Sequence, residues 1–231
     1  MRKAMLLLAS ASIAAASLAM AQESPQRSAS LAELRIKRGS GTEYAYGAAT
    51  LQRLDYWPGS SRQAPLMVFV HGGGWKQGDK KMMHGSAKLS HWQEQGYAVV
   101  SLNYRLVPDA TVEQQAADVA NAVAWLKQNA AKLGFDSKRM ALIGHSAGAH
   151  LVALVGTDPQ YLRGAGLSFR DIRGVIPLDG AAYDVPAQMG ENARLMGDTY
   201  KQAFGTDPER QKALSPTFHA ASPNAPAFLI L

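Results

Sequence analysis

The sequence contains no cysteine, which excludes disulfide staples, thiolate nucleophiles and cysteine-ligated metal sites together. It also lacks long basic runs: Lys80-Lys81 is as long as any block of Lys and Arg becomes. The formal net charge of +6 is therefore read as a solvated surface, and no nucleic-acid partner is expected. No apolar run is long enough to cross a bilayer, because Met5 to Leu18 falls short of the roughly 20 residues a spanning helix needs. Internal repeats and low-complexity blocks are absent as well. No pair of histidines has metal-ligand spacing, so neither a metal nor another cofactor is expected.

What is present begins with Arg2 and Lys3 before an Ala/Leu/Ser-rich stretch that ends in Ala19-Met20-Ala21. This is the pattern of a secretory signal peptide over residues 1–21, implying an exported, periplasmic or secreted, mature protein without a membrane span. Residues 22–41 read as a loose polar leader, and residues 42–231 as one domain. With 47% hydrophobic residues, a chain of this length buries a sizeable core without staples. The composition carries no signal of oligomeric state.

Strands alternate with helices along that domain. Leu51 to Trp57 reads as an early strand closed by the turn residues Pro58-Gly59-Ser60-Ser61. Leu66 to Val70 and Ala98 to Leu102 are continuous apolar runs, as expected of strands buried on both faces. Val112 to Leu133 carries apolar residues at helical spacing and is stopped by Gly134. Met140 to Ile143 is a strand, Ala147 to Val155 a helix, and Gly174 to Leu178 a strand. Tyr183 to Ser215 looks helical and irregular, and Ala227 to Leu231 reads as one more buried strand. The order predicts an α/β fold with a mostly parallel sheet and helices on both faces.

Two motifs carry chemistry. Gly144-His145-Ser146-Ala147-Gly148 lies between a strand and a helix, the context of a nucleophile elbow, in which a strained turn projects the serine hydroxyl above the sheet. His71-Gly72-Gly73-Gly74-Trp75 follows a buried strand, where an oxyanion loop belongs. A phosphate loop is excluded, because neither a Gly-Lys-Ser/Thr ending nor Gly-x-Gly-x-x-Gly spacing is present. Ser146 is thus the candidate nucleophile, with the backbone N–H groups of Gly73, Gly74 and Ala147 as candidate oxyanion donors.

These motifs, with Asn103-Tyr104-Arg105-Leu106, Pro108 and Ser215-Pro216 before His219, resemble the hormone-sensitive-lipase-like and feruloyl-esterase-like α/β-hydrolases. Kynurenine formamidases are similar too. The resemblance runs from about Leu51 onward and implies hydrolysis of a small-molecule carboxylic ester through an acyl-enzyme on Ser146, with His71 shaping the loop. Trp75, Tyr104 and the region Tyr183 to Phe204 are candidates for lining an acyl or aromatic pocket. An amidase, formamidase or peptidase with the same elbow is the alternative chemistry, and a non-catalytic binding module the alternative class.

A serine nucleophile needs a histidine base and a carboxylate, in the chain order serine, acid, histidine. The resemblance puts the acid after the strand Ala227 to Leu231 and the base one strand later, both beyond residue 231. Asp179 is a weaker candidate acid and His219 a weaker candidate base. The sequence is accordingly expected to be C-terminally incomplete, since a buried apolar strand would otherwise form an unprotected edge, and the chain as written to be nearly inactive. His84, His91, His145 and His150 read as surface, core or elbow-neighbouring residues.

Overall fold

The computed structural model describes residues 39, 41–191, 198–221 and 223–231. The signal-peptide reading of residues 1–21 lies outside these, as does the leader apart from Gly39 and Gly41. Six strands form one sheet: β1 Thr42–Ala45, β2 Arg53–Trp57, β3 Leu66–Val70, β4 Ala98–Leu102, β5 Met140–His145 and β6 Gly174–Leu178, in the order β1-β2-β4-β3-β5-β6. The pairs β1/β2 and β2/β4 are antiparallel, and the rest are parallel. The expected mostly parallel α/β sheet is what forms.

Helix α1, Ala87–Glu94, connects β3 to β4, α2, Val112–Leu133, connects β4 to β5, and α3, Ala147–Thr157, leaves β5 towards β6. Period-two alternation sorts the sheet's side chains between two cores. Val68, Val70, Val100 and Leu142 pack with α2 and α3 on one face. Met67, Phe69, Val99 and Ile143 meet Met83 and Leu89 on the other. The chain runs from β3 outward to β4 and returns past β3 to β5, so the order reverses at β3. In such sheets the crevice for a ligand opens beyond the strand carboxyl ends at that reversal.

Helix α2 has the predicted limits because its ends are chemically marked. Thr111 and Gln114 form a reciprocal capping box, and Gly134 takes the left-handed conformation at φ 81°. Within it, Asp118 is fully buried and accepts from Arg105 N, Nε and Nη2 and from Gln52 Nε2 at 2.7–3.0 Å. The carboxylate joins α2 to the exit of β4 and the entry of β2. Asp118→Ala is expected to cost about 3 kcal/mol or more, because Arg105 loses its counter-ion where part of it is covered by protein. Urea denaturation measures this, and a loss below about 1 kcal/mol would show that the network adds little.

Two elements differ from expectation. The domain opens with β1, an edge strand whose pattern was not legible. Tyr183 to Ser215 is helical and irregular as expected: after the short α4, Pro159–Gly164, its described residues hold α5, Val185–Glu191, α6, Asp198–Phe204, and α7, Pro208–Ala213. Ala227 to Leu231 runs alongside β6, bonded through Val175 N to Ala227 O, Leu229 N to Val175 O and Leu231 N to Pro177 O, yet Phe228 alone bridges. It is also not buried: Ile230 and Leu231 are 66% and 68% exposed, because only its β6 side is paired among the described residues.

Candidate active site

The register of the two central strands brings the motifs together. Val70 is the partner of Gly144, so the chain leaving β3 as His71-Gly72 runs beside the chain leaving β5 as His145-Ser146. A Cβ on Gly72 would lie 3.0 Å from that of Ser146, which places the glycine loop directly against the candidate nucleophile.

Ser146 has φ 52° and ψ −118°, a conformation that costs a non-glycine residue about 1–3 kcal/mol and is held only by its surroundings. Its N–H donates to Leu178 O at 3.0 Å and its C=O accepts from His150 N at 3.1 Å, so β6 and α3 both clamp the turn. The side chain is half-buried. Ala147 is the first residue of α3, and its N–H has no acceptor within the helix. The positive end of the helix dipole lies here and favours negative charge beside this N–H.

Gly73 carries the tightest requirement in the facing loop. Its φ is 128°, and a Cβ there would run into Gln77 O, whose residue's N–H returns to Gly73 O at 3.1 Å. Among the described residues neither Gly73 N nor Gly74 N donates to a backbone acceptor. Two N–H groups beside a serine are therefore available to an incoming oxygen. His71 does not face the site as a base: it is buried, its ring stacks on Tyr104 at 4.4 Å, and Nδ1 lies 2.8 Å from Gly72 O. Burial lowers its pKa and keeps it neutral, in line with the loop-shaping part the resemblance implies.

Asn103 Oδ1 accepts Lys80 N at 2.5 Å, and its Nδ2 donates to Asp79 Oδ2 at 3.0 Å, which pins the far end of the glycine loop to the exit of β4. Tyr104 donates to His71 O at 3.0 Å. The expectation that Trp75 and Tyr104 line a pocket is corrected: both are buried, at 1% and 0% exposure. Tyr200 and Phe204 of α6 close over Trp75, and the indole is packed instead of presented. What α6 does bring to the loop is Thr199, whose Cγ2 would be 2.9 Å from a Cβ on Gly74. Nothing in the local sequence marks that contact.

The histidines are placed as follows. His219 Nε2 lies 2.8 Å from Ala213 O and 3.7 Å from Asp158 Oδ2. Asp158 caps the far end of α3, 12 residues and about 18 Å along the axis from Ser146, so this pair stands at the wrong end of the helix for the serine. His84 is bonded to buried Asp55 at 2.6 Å. Asp179 follows β6 with φ 45° and gives its N–H to Leu231 O at 2.8 Å. It adjoins the residue that holds Ser146, but it is exposed, and among the described residues no histidine bonds to its carboxylate. No group of three metal-ligating side chains occurs among the described residues. A cavity of about 330 Å³, lined by Pro177, Tyr183, Pro216, Thr217, Phe228 and Ile230 among others, touches neither the glycine loop nor the elbow turn.

His150 is fully buried, and both its ring nitrogens are engaged. Nδ1 is 3.2 Å from Trp75 Nε1, which can only donate, and Nε2 is 2.8 Å from Leu214 O, which can only accept. The ring is therefore a neutral Nε2–H tautomer. Burial depresses its pKa from 6.5 to about 4, against a smaller opposing effect of the bond to Leu214 O. The unfolded chain thus takes up this proton below pH 6.5 while the folded protein resists it to about pH 4. Stability is lost as pH falls through that window, by about 3 kcal/mol in all. Chemical denaturation at pH 7 and pH 4.5 is expected to show a loss that His150→Gln largely abolishes; equal losses in the two proteins would contradict it.

A family model described as BD-FAE matches residues 56–231. Esterase LipC of Mycobacterium tuberculosis is 38% identical over 122 residues, covering 50% of this chain and 30% of the relative. The kynurenine formamidase of Drosophila melanogaster is 32% identical over 132 residues, covering 56% and 43%. The chain thus spans less than half the length of these curated relatives. Among solved structures, esterase B of Lactobacillus rhamnosis superposes with a TM-score of 0.67 at 25% identity, over 94% of this chain and 74% of that one.

Proposed function

Since the chain belongs to the BD-FAE family and has an α/β-hydrolase fold, we propose that the protein hydrolyses small-molecule carboxylic esters through an acyl-enzyme on Ser146. The observation that carries this reading is the meeting of two strand ends: a serine held at φ 52° faces a glycine loop whose N–H groups are free to bind an oxyanion.

In the first half-reaction Ser146 Oγ attacks the ester carbonyl and its proton passes to a histidine base. The negative oxygen is stabilised by Gly73, Gly74 and Ala147 N–H, a contribution of about 3 kcal/mol per donor in comparable sites. Collapse expels the alcohol, which takes the proton from the base. Water then repeats the sequence on the acyl group, releasing the acid and restoring the serine. Neither Asp179 nor His219 is assigned to the triad. Its acid and base are proposed to follow residue 231 in the chain, a reading supported by the absence of any histidine bonded to Ser146 among the described residues and by the partial coverage of every relative compared.

The similarity to a protein named kynurenine formamidase favours a second reading, in which the same serine opens an aryl formamide. The two are separated by kcat/KM for 4-nitrophenyl butyrate against N-formylaniline, measured on the full-length protein. The ester reading expects the ester to be preferred by at least about 100-fold, and preference for the formamide would replace it.

A further inference from the structure

Trp75 follows Gly74 directly and has φ 61°, a left-handed conformation that a bulky side chain keeps only where its surroundings determine it. Its backbone C=O accepts from Val107 N at 3.0 Å and from Gln115 Nε2 at 2.7 Å. Its indole N–H donates to His150 Nδ1. His150 stands one turn after Ser146 on α3, and its own N–H is bonded to Ser146 O. The imidazole therefore moves as one body with the serine, while its Nδ1 grips the residue next to the oxyanion donors.

Apolar packing does not require this arrangement. A phenyl or isobutyl group at 150 would fill a fully buried space without the desolvation cost of two ring nitrogens. The polar ring adds direction: one bond to the glycine loop, and one to Leu214 O that fixes which nitrogen is the acceptor.

We propose that His150 is a positioning residue, which holds Trp75 and through it the Gly73 and Gly74 N–H groups at the separation from Ser146 that the oxyanion requires. This rests on the reading of Ser146 as the nucleophile. The bond between rings 75 positions apart makes the two halves of the site, the β3 loop and the β5 elbow, keep a common geometry that strand pairing alone leaves free beyond Val70 and Gly144.

The test uses the full-length protein and three variants that separate bonding from bulk. Trp75→Phe keeps an aromatic ring and removes the donor, His150→Leu removes both nitrogens, and His150→Gln supplies an acceptor and a donor again. Trp75→Phe and His150→Leu are expected to lower kcat, and the rate of phosphonylation of Ser146, roughly 10- to 100-fold with KM changed less than about threefold. His150→Gln is expected to recover most of the rate. Unchanged kcat in folded Trp75→Phe and His150→Leu overturns the proposal. Should those two fail to fold, nitrogen NMR of the wild type decides: a neutral His150 with its proton on Nε2 at pH 5.5 is expected, and a charged ring or an Nδ1 proton overturns it. If the wild type is not phosphonylated at Ser146, the nucleophile reading falls and this with it. If the wild type reacts and the variants react as fast, the positioning role falls alone.

Discussion

Ser146→Ala in the full-length protein is expected to lower ester turnover by roughly four orders of magnitude or more, leaving only what the oxyanion donors and substrate binding contribute. The change removes the attacking oxygen and little else. Alanine at φ 52° bears the same backbone strain as serine, so stability is expected to stay within about 0.5 kcal/mol. Ser146→Gly separates chemistry from folding more sharply. Glycine occupies that region without a Cβ penalty, and this inactive variant is expected to be more stable than the wild type by about 1 kcal/mol. Turnover and thermal denaturation of the three proteins together check this. A glycine variant less stable than the wild type would mean that the turn is not strained as described.

Gly148→Ala is expected to produce a large loss of stability from a single methyl group. Helix α3 approaches β3 so closely at this position that a Cβ would lie 2.5 Å from His71 O, 2.8 Å from Val70 C and closer still to Val70 O. These are backbone atoms of the strand and of the start of the glycine loop, so no side chain can swing aside. The helix must move away from the sheet, and α3 is buried along its whole length. A cost of about 3 kcal/mol or more follows, together with loss of turnover, since the displacement separates the elbow from the oxyanion donors. Urea denaturation measures the first and ester hydrolysis by the folded fraction the second. A loss under about 1 kcal/mol would contradict the close approach.

The central strands were legible because each is a short apolar run between turn residues, and α2 because a capping box and a glycine mark its ends. The nucleophile loop and the glycine loop were legible as motifs. Their meeting was not, because it depends on the register Val70 to Gly144, which a motif does not contain. β1 was missed for a physical reason: Thr42–Ala45 is mostly exposed and is held through β2 alone, so it lacks the apolar signature of the inner strands. Ala227 to Leu231 shows the opposite error, since an apolar run says what a segment can bury and not whether a neighbour covers it. Trp75 was read as a pocket wall because the residues that bury it, Tyr200 and Phe204, return to it from well over a hundred positions away. A separation of 75 positions in sequence likewise conceals its bond to His150.

The claim on which the rest depends is that Ser146 is a nucleophile activated in this fold. It is tested most directly by treating the full-length protein with a fluorophosphonate and mapping the adduct by peptide mass spectrometry. The account predicts one adduct per chain, on the peptide that contains Ser146, with hydrolysis of 4-nitrophenyl butyrate falling in proportion to labelling. An adduct on a different residue, or undiminished ester hydrolysis by a fully labelled protein, would contradict it.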